Sequence, residues 1–353
     1  LQKLKAVILV GGMGTRLRPL TDIYPKPMLP VLNHPFLEHT LAHLKESKIE
    51  DVILAMSYLP DAIQQYFGNG ERFGMRLTYC LEKEPLGTAG AVKNAAAFLD
   101  GSFIVLNGDD VFIEMNLDEA LAFHGEKKAK ATIFLTQVEN PSAFGVVETD
   151  ENQKVKRFIE KPPPGTTTSN WINAGGYILD PEVLDYIPAG QYYMFEKGLF
   201  PSLLNMGAPI YGYHYPGYWL DMGTPEKYFS LNMDLLLLKT RSPLLQNFRQ
   251  DGIYRGQGVI IHSSAVITAP SVIGSGCQIG KEVHITGPVT MERDCLLEDG
   301  ASLENTVLWD GVHIGAGATL RGCIVSSNGV IGKCREVTDC VVTPSRIVPL
   351  ARK

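Results

Sequence analysis

Residues 261–303 read IHSSAVITAPSVIGSGCQIGKEVHITGPVTMERDCLLEDGASL, with an apolar side chain at every sixth position: Ile261, Ile267, Ile273, Ile279, Ile285, Met291, Leu297 and Leu303. The phase slips by one residue to reach Leu308, Ile314 and Leu320, and slips again to reach Val325, Ile331 and Val337. A helix repeats every 3.6 residues and a strand every two, so neither alone yields a period of six. A three-sided parallel β-helix does, because each short flat face turns one apolar residue inward. Three faces make a coil of roughly 18 residues, and the segment holds about four to five coils. Cys277 and Cys295 stand one coil apart and are expected to stack as a buried ladder. His262, His284 and His313 lie in the same coils at a spacing that fits no common zinc pattern, so solvated histidines are expected there.

Upstream of this repeat the chain changes character. Short β-branched runs at Ala6–Val10, Asp51–Met56, Leu77–Leu81, Phe103–Asn107, Ala131–Gln137, Gly145–Thr149 and Gly176–Leu179 alternate with helical patterns such as Pro35–Ser47 and Thr88–Leu99. That alternation is the signature of a layered α/β fold on a largely parallel sheet, whose ligand site lies beyond the carboxyl ends of the strands. Gly11, Gly87 and Asp109 each follow a candidate strand closely, so they are expected to meet at one edge. Thr224-Pro225-Glu226 supplies an N-cap, a first-position proline and a first-turn acid for a helix running to about Lys239. The expected division is therefore a catalytic domain over 1–240, a linker over 241–256 and a β-helix over 257–353.

Composition narrows the function. A net charge of −6 without any long basic block argues against nucleic acid as the main partner, so phosphate must be held by a few placed residues. The apolar run Leu4–Val10 is too short to span a membrane and lacks a cleavage site, and no other run approaches the ~18 residues a span needs. A cytoplasmic protein is expected. The six cysteines include no C-x-x-C pair, which points to reduced thiols rather than a metal or disulfide frame.

Directly after the first strand comes GGMGTRLRPLT, residues 11–21. Gly11, Gly12 and Gly14 let backbone N–H groups approach an anion, and Arg16 can fork onto phosphate oxygens. The dinucleotide pattern fails here because Leu17 stands where its third glycine belongs, and no Walker loop occurs. In YPKPMLPV, residues 24–31, flanking prolines fix the backbone so that Lys26 is aimed rather than left to solvent.

These two motifs, with EPLGTAGAV, LNGD, FGVVE, FIEKP, NAGGYIL and YWLDMGTPEKY in the same order, resemble the sugar-phosphate nucleotidyltransferases, most closely the mannose-1-phosphate guanylyltransferases. The resemblance covers essentially the whole chain. It implies a Rossmann-like nucleotidyltransferase domain with a mostly parallel sheet, followed by a left-handed parallel β-helix of hexapeptide repeats. It further implies that Gly11, Gly12, Gly14, Thr15 and Arg16 wrap the triphosphate, with Lys26 near the phosphates, and that Glu82, Gly87 and Thr88 face the base. Asp109 and Asp221 match the pair that binds Mg²⁺. Gly145, Glu160, Asn173 and Gly175 match contacts to the sugar, and Lys161 matches the lysine on its phosphate. The stretch Asn107–Leu117 is one residue longer than the usual family spacing, which leaves the metal role open between Asp109 and Asp110.

The chemistry asks for these residue types independently. A sugar phosphate oxygen must attack the α-phosphorus in line with departing pyrophosphate, so Mg²⁺ on hard carboxylates, Arg16 and Lys26 offset the repulsion between anions while Lys161 orients the attacking phosphate. Glu82 offers acceptors that match guanine's N1–H and 2-amino group, whereas uracil and thymine present a single N–H. GTP and mannose 1-phosphate are the expected substrates; UTP or dTTP with glucose 1-phosphate is the alternative. Two other classes are a non-catalytic regulatory subunit and a hexapeptide acyltransferase. The first is disfavoured by the intact phosphate and metal motifs, the second by a repeat with little room for an acyl-carrier loop. A homo-oligomer assembled through the β-helix is expected.

Overall fold

The computed structural model describes residues 4–57, 60–113, 115–245 and 252–351. Backbone contacts divide the chain into two compact units, one of Leu1–Gly12 with Leu41–Trp219 and one of Met13–Thr40 with Leu220–Lys353. This division cuts across the 1–240 boundary read from the sequence. Its physical reason is that residues 13–40 are hydrogen-bonded along one corner of the β-helix: the Asn33 N–H donates to Glu292 at 2.7 Å, and Arg346 donates to Asp22 at 2.6 Å.

In the first unit Ala6, Val7 and Ile8 of strand Lys5–Leu9 are wholly buried, and the strand has a neighbour on each side. Asp51–Met56 and Phe103–Asn107 pair with it in parallel, placing Leu9 opposite both Ala55 and Asn107. Arg76–Leu81 extends the parallel block. Near-continuous apolar strands are what a parallel sheet covered on both faces requires. Past Phe103–Asn107 the direction reverses: Trp171–Leu179 runs antiparallel, with Gly176 opposite Leu106, and pairs in turn with Gly145–Thr149 and Ala131–Gln137. Val155–Glu160 and Ile210–His214 complete a nine-stranded sheet. This is the Rossmann-like α/β class expected. The reversal has a positional consequence: the amino half of Trp171–Leu179 reaches the same edge as the carboxyl ends of the parallel strands.

The second unit winds a parallel β-helix. One face stacks Ile261, Ile279, Leu297, Ile314 and Ile331 in register. The next stacks Ile267, Ile285, Leu303, Leu320 and Val337. The third stacks Arg255, Ile273, Met291, Leu308, Val325 and Val342. Both slips of the six-residue series fall at one corner, between the second and third faces. Gly287 and Pro288 fill that corner in one coil; in the next, Asn305 alone does so, at a φ of 46°. The earlier coils are thus 18 residues long and the later ones 17, as from Ile279 to Leu297 and from Leu297 to Ile314.

The β-helix starts earlier than the expected 257, since Ile253–Arg255 already pairs with Ser271–Ile273. Periodicity missed it because Arg255 stands at the stacking position of that face. Of the expected linker 241–256, residues 246–251 lie outside the described residues. Cys277 and Cys295 are buried with free thiols, each donating to a backbone oxygen, of Glu292 at 3.0 Å and of Trp309 at 3.1 Å. His262 and His284 face outward, and His313, half-buried, bonds Glu298 at 2.8 Å. The helix Pro225–Leu236 is capped as expected, with the Thr224 hydroxyl accepting from the Lys227 N–H, but it ends before Lys239. No helix among the described residues is long and apolar enough to cross a membrane.

Candidate active site

At the carboxyl edge of the first unit, two glycines are required by close approach. A Cβ on Gly108 would stand 2.4 Å from the Leu9 carbonyl oxygen, and one on Gly11 would stand 2.6 Å from Ser57 Oγ, which donates to Gly11 O at 2.7 Å. The first contact fixes where Asp109 leaves the sheet; the second holds the start of the glycine loop, Gly11-Gly12, against the neighbouring strand end. Beside Asp109, the Asp110 carboxylate is buried and accepts from Asn107 Nδ2 at 3.1 Å. Asn107 Oδ1 is buried without a hydrogen-bond partner among the described residues.

The bulge Ala174–Gly176 closes on this corner. Asn173 stands opposite Leu135 and Tyr177 opposite Ile133, so three residues on one strand face one on the other. Gly175 has a φ of 79°, and a Cβ there would meet Asp110 Oδ2 at 2.0 Å. The Asn173 side chain is spent on shaping the bulge: its oxygen accepts from the Gly175 N–H at 3.0 Å, and its nitrogen donates to the Tyr177 hydroxyl at 2.8 Å. Trp219 Nε1 donates to Ala174 O at 2.8 Å, and its ring meets Phe144 edge-on. Gly145 pairs with Glu160, and a Cβ on it would lie 3.0 Å from the Glu160 carboxylate. Lys161 follows with a φ of 48°, a left-handed conformation that a lysine rarely adopts, held by its N–H on Phe144 O at 3.0 Å. Its ammonium is exposed, 3.8 Å from Glu160. Gly145, Glu160, Lys161, Asn173 and Gly175 are thus gathered at one place.

Glu82 lies just past strand Arg76–Leu81, half-buried, with Oε2 accepting from the Leu86 N–H at 2.8 Å. Burial pushes its carboxyl up from the ordinary range, against the pull of that amide. Gly87 opens helix Gly87–Asn94 at a φ of 72°, where a Cβ would stand 2.8 Å from Tyr193 O. Thr88 is turned differently from the expected base contact: its hydroxyl accepts from the Phe195 N–H at 2.9 Å and donates to Glu196 at 3.3 Å.

The second unit carries the rest of the glycine loop. Gly14, at a φ of 61°, starts the turn Thr15–Leu17, and the Thr21 hydroxyl donates to Gly14 O at 2.8 Å. Arg16 is exposed and lies 3.9 Å from the Asp221 carboxylate, with Gly223 leaving the room for both. So open an ion pair is worth little. Lys26 is buried at 7% exposure in the turn Lys26–Met28. The β-carbon of Lys26 is 3.4 Å from where a Cβ on Gly14 would lie, so the lysine is placed beside the glycine turn.

A model of the nucleotidyl transferase family matches residues 5–237. The chain belongs to that family. Its residues 250–349 match the EIF2B subunit epsilon LbH domain. The mannose-1-phosphate guanylyltransferase of Mycobacterium tuberculosis is 38% identical over 90% of this chain and 82% of its own. The UTP–glucose-1-phosphate uridylyltransferase of Synechocystis is 34% identical over 97% of this chain and 94% of its own. Among solved structures, HddC from Yersinia pseudotuberculosis complexed with GMP-PN superposes with a TM-score of 0.57 at 28% identity, covering 65% of this chain and 98% of that one.

For a nucleotidyl transferase, the oxygens on offer suit a hard divalent cation. Among the described residues no group of three or more His, Cys, Asp or Glu converges as a full metal cage. Mg²⁺ characteristically takes one or two carboxylates and completes its shell with substrate phosphates and water. One acid escaped the sequence reading. Glu196, on the single π-turn Phe195–Leu199, has its carboxyl pushed up by burial and by Glu160 and drawn down by Lys161. A lone acid in an irregular turn has no period to betray it, although π-turns are frequent at functional sites.

Proposed function

We propose that this nucleotidyl transferase joins GTP to mannose 1-phosphate, giving GDP-mannose and pyrophosphate. The observation that carries the reading is the gathering of Glu160, Lys161, Asn173 and Gly175 beside the Asp109 edge, with a carboxylate, Glu82, past the carboxyl end of the outermost parallel strand, Arg76–Leu81. The likeness to mannose-1-phosphate guanylyltransferases over nine-tenths of the chain and to a structure solved with GMP-PN supports guanine and mannose.

In this reading Lys161 holds the sugar phosphate so that its oxygen attacks the α-phosphorus, and pyrophosphate leaves on the opposite side. Arg16 and Lys26 stabilise the charge that collects on it. Gly11, Gly12, Gly14 and Thr15 cradle the triphosphate through backbone N–H groups. Gly87 lets the chain pass close to the base, and Gly145 does the same at the sugar. Asp109 and Asp221 would hold Mg²⁺, whose charge would lower the repulsion between the two anions. No protein nucleophile is needed. The protein is cytoplasmic and assembles as a homo-oligomer through its β-helix.

A second reading, UTP with glucose 1-phosphate, is favoured by one observation. The Leu86 N–H already occupies one Glu82 oxygen, and uracil's single N–H needs only the other. Pyrophosphate release with Mg²⁺, measured for GTP, UTP, dTTP, ATP and CTP against mannose 1-phosphate and glucose 1-phosphate, decides between them. Release with GTP and mannose 1-phosphate is expected. Release confined to UTP and glucose 1-phosphate selects the second reading, and silence across the grid from folded protein points to a regulatory subunit.

A further inference from the structure

The turn that carries Lys26 is fastened to the β-helix on both sides. Two residues before the lysine, the Tyr24 hydroxyl donates to Asp310 Oδ1 at 3.2 Å, and Ser327 Oγ donates to the same oxygen at 2.6 Å. The Tyr24 ring lies 5.6 Å, centroid to centroid, from Trp309, which is wholly buried. Four residues after the lysine, Pro30 O accepts from the Tyr228 hydroxyl, which itself accepts from Trp309 Nε1 at 2.8 Å. Trp309 and Asp310 follow the third face of one coil, and Ser327 occupies the matching place one 17-residue coil later. A hexapeptide coil closes without a tryptophan at that corner; its presence there is explained by what it supports.

We propose that Tyr24 is a positioning residue for Lys26, set by Trp309, Asp310 and Ser327 of the β-helix, so that the β-helix fixes where the lysine meets the leaving pyrophosphate. This rests on the reading of Lys26 as the phosphate lysine. The lysine is buried in a turn closed by the Met28 N–H on Pro25 O at 2.8 Å and the Leu29 N–H on Lys26 O at 3.2 Å, to which Pro25 and Pro27 donate nothing. The two ends of that turn are held by the anchors at Tyr24 and Pro30. Asp310 accepts two hydroxyls through one oxygen, an arrangement that an asparagine oxygen can largely reproduce and an alanine cannot.

The test uses the full chain and the pyrophosphate-release assay, with KM and kcat measured for each substrate alongside thermal melting. Tyr24→Phe keeps the ring and removes one hydrogen bond. It is expected to raise KM for the nucleoside triphosphate about five- to tenfold, the size of one net hydrogen bond, with KM for the sugar phosphate unchanged. Asp310→Ala should match it, and Asp310→Asn should restore most of the loss. In a double-mutant cycle, Tyr24→Phe should add nothing to Lys26→Ala, because it acts through that lysine. A Tyr24→Phe protein with the wild-type triphosphate KM, an equal rise in both KM values, or additivity with Lys26→Ala overturns the proposal. If Lys26→Ala itself leaves triphosphate use unchanged, the phosphate role of the lysine falls and the positioning role falls with it.

Discussion

At Gly175 the fold leaves no room for a side chain. An added methyl would collide with Asp110 Oδ2 and Asn107 Nδ2, and its φ of 79° is strained for any L side chain. Gly175→Ala should therefore lower sugar phosphate use about a hundredfold and cost about 2 kcal/mol of stability, read by steady-state kinetics and denaturant melts. Asp109→Asn and Asp221→Asn should each reduce Mg²⁺-dependent turnover about a hundredfold or more with the fold intact; a near-normal rate in either variant removes that residue from the metal site. Lys161→Ala should raise KM for the sugar phosphate while triphosphate binding, followed by calorimetry, holds. At this scale the sequence was legible where the backbone forces a residue type, as at Gly87 and Gly175, whose positive φ and close neighbours leave no room for a side chain. It was silent where side chains serve one another. Nothing in the string says that the Thr88 hydroxyl is committed to the Phe195 N–H, or that Glu196 comes to lie within the influence of Glu160 and Lys161.

Elements were legible in proportion to their regularity. The strands Asp51–Met56, Phe103–Asn107, Ala131–Gln137 and Gly145–Thr149 coincide with their apolar runs, whereas Val155–Glu160 hides behind exposed Lys156 and Arg157. The N-cap of Pro225–Leu236 was legible, and Thr224→Ala should cost about 1 kcal/mol of stability in a denaturant melt. The β-helix corner carries a pH dependence that no pattern discloses. Glu292 is fully buried, its carboxyl pushed up to about 8 by loss of solvent, while its Oε1 accepts from the Asn33 N–H. An acid whose folded value exceeds its unfolded one stabilises the fold below about pH 4.5, and that contribution is lost as pH rises through about 8. Glu292→Gln should flatten this decline in thermal melts taken from pH 5 to 8.5; an unaltered slope assigns the decline to other groups. His39 acts at the opposite end. Buried between Val31 O and Ser242 Oγ, it is pushed down to about 4 by desolvation, so its contribution is lost as pH falls from about 6.5 toward 4.

For the molecule as a whole, the sequence announced two architectures and placed their border by the change of period, near residue 240. The family models match 5–237 and 250–349. The packing does not respect that border, because residues 13–40 lie along the β-helix corner, and a contact made so far along the chain leaves no trace in local periodicity. A chain ended after residue 255 should consequently lose turnover together with assembly, measured by pyrophosphate release and by sedimentation; full turnover from such a chain would free catalysis from the β-helix. The shortened corner of the coils has its own bearing on how a gene of this kind can drift. Losing one codon from the Gly287-Pro288 corner converts an 18-residue coil into the 17-residue form already present downstream, and every inward aliphatic keeps its place. The same loss within Gln278–Ile279 or His313–Ile314 would turn all later faces inside out. Length variation among descendants of this gene is thus confined to one line down the side of the solenoid, a seam along which the reading of the repeat can be edited without being scrambled.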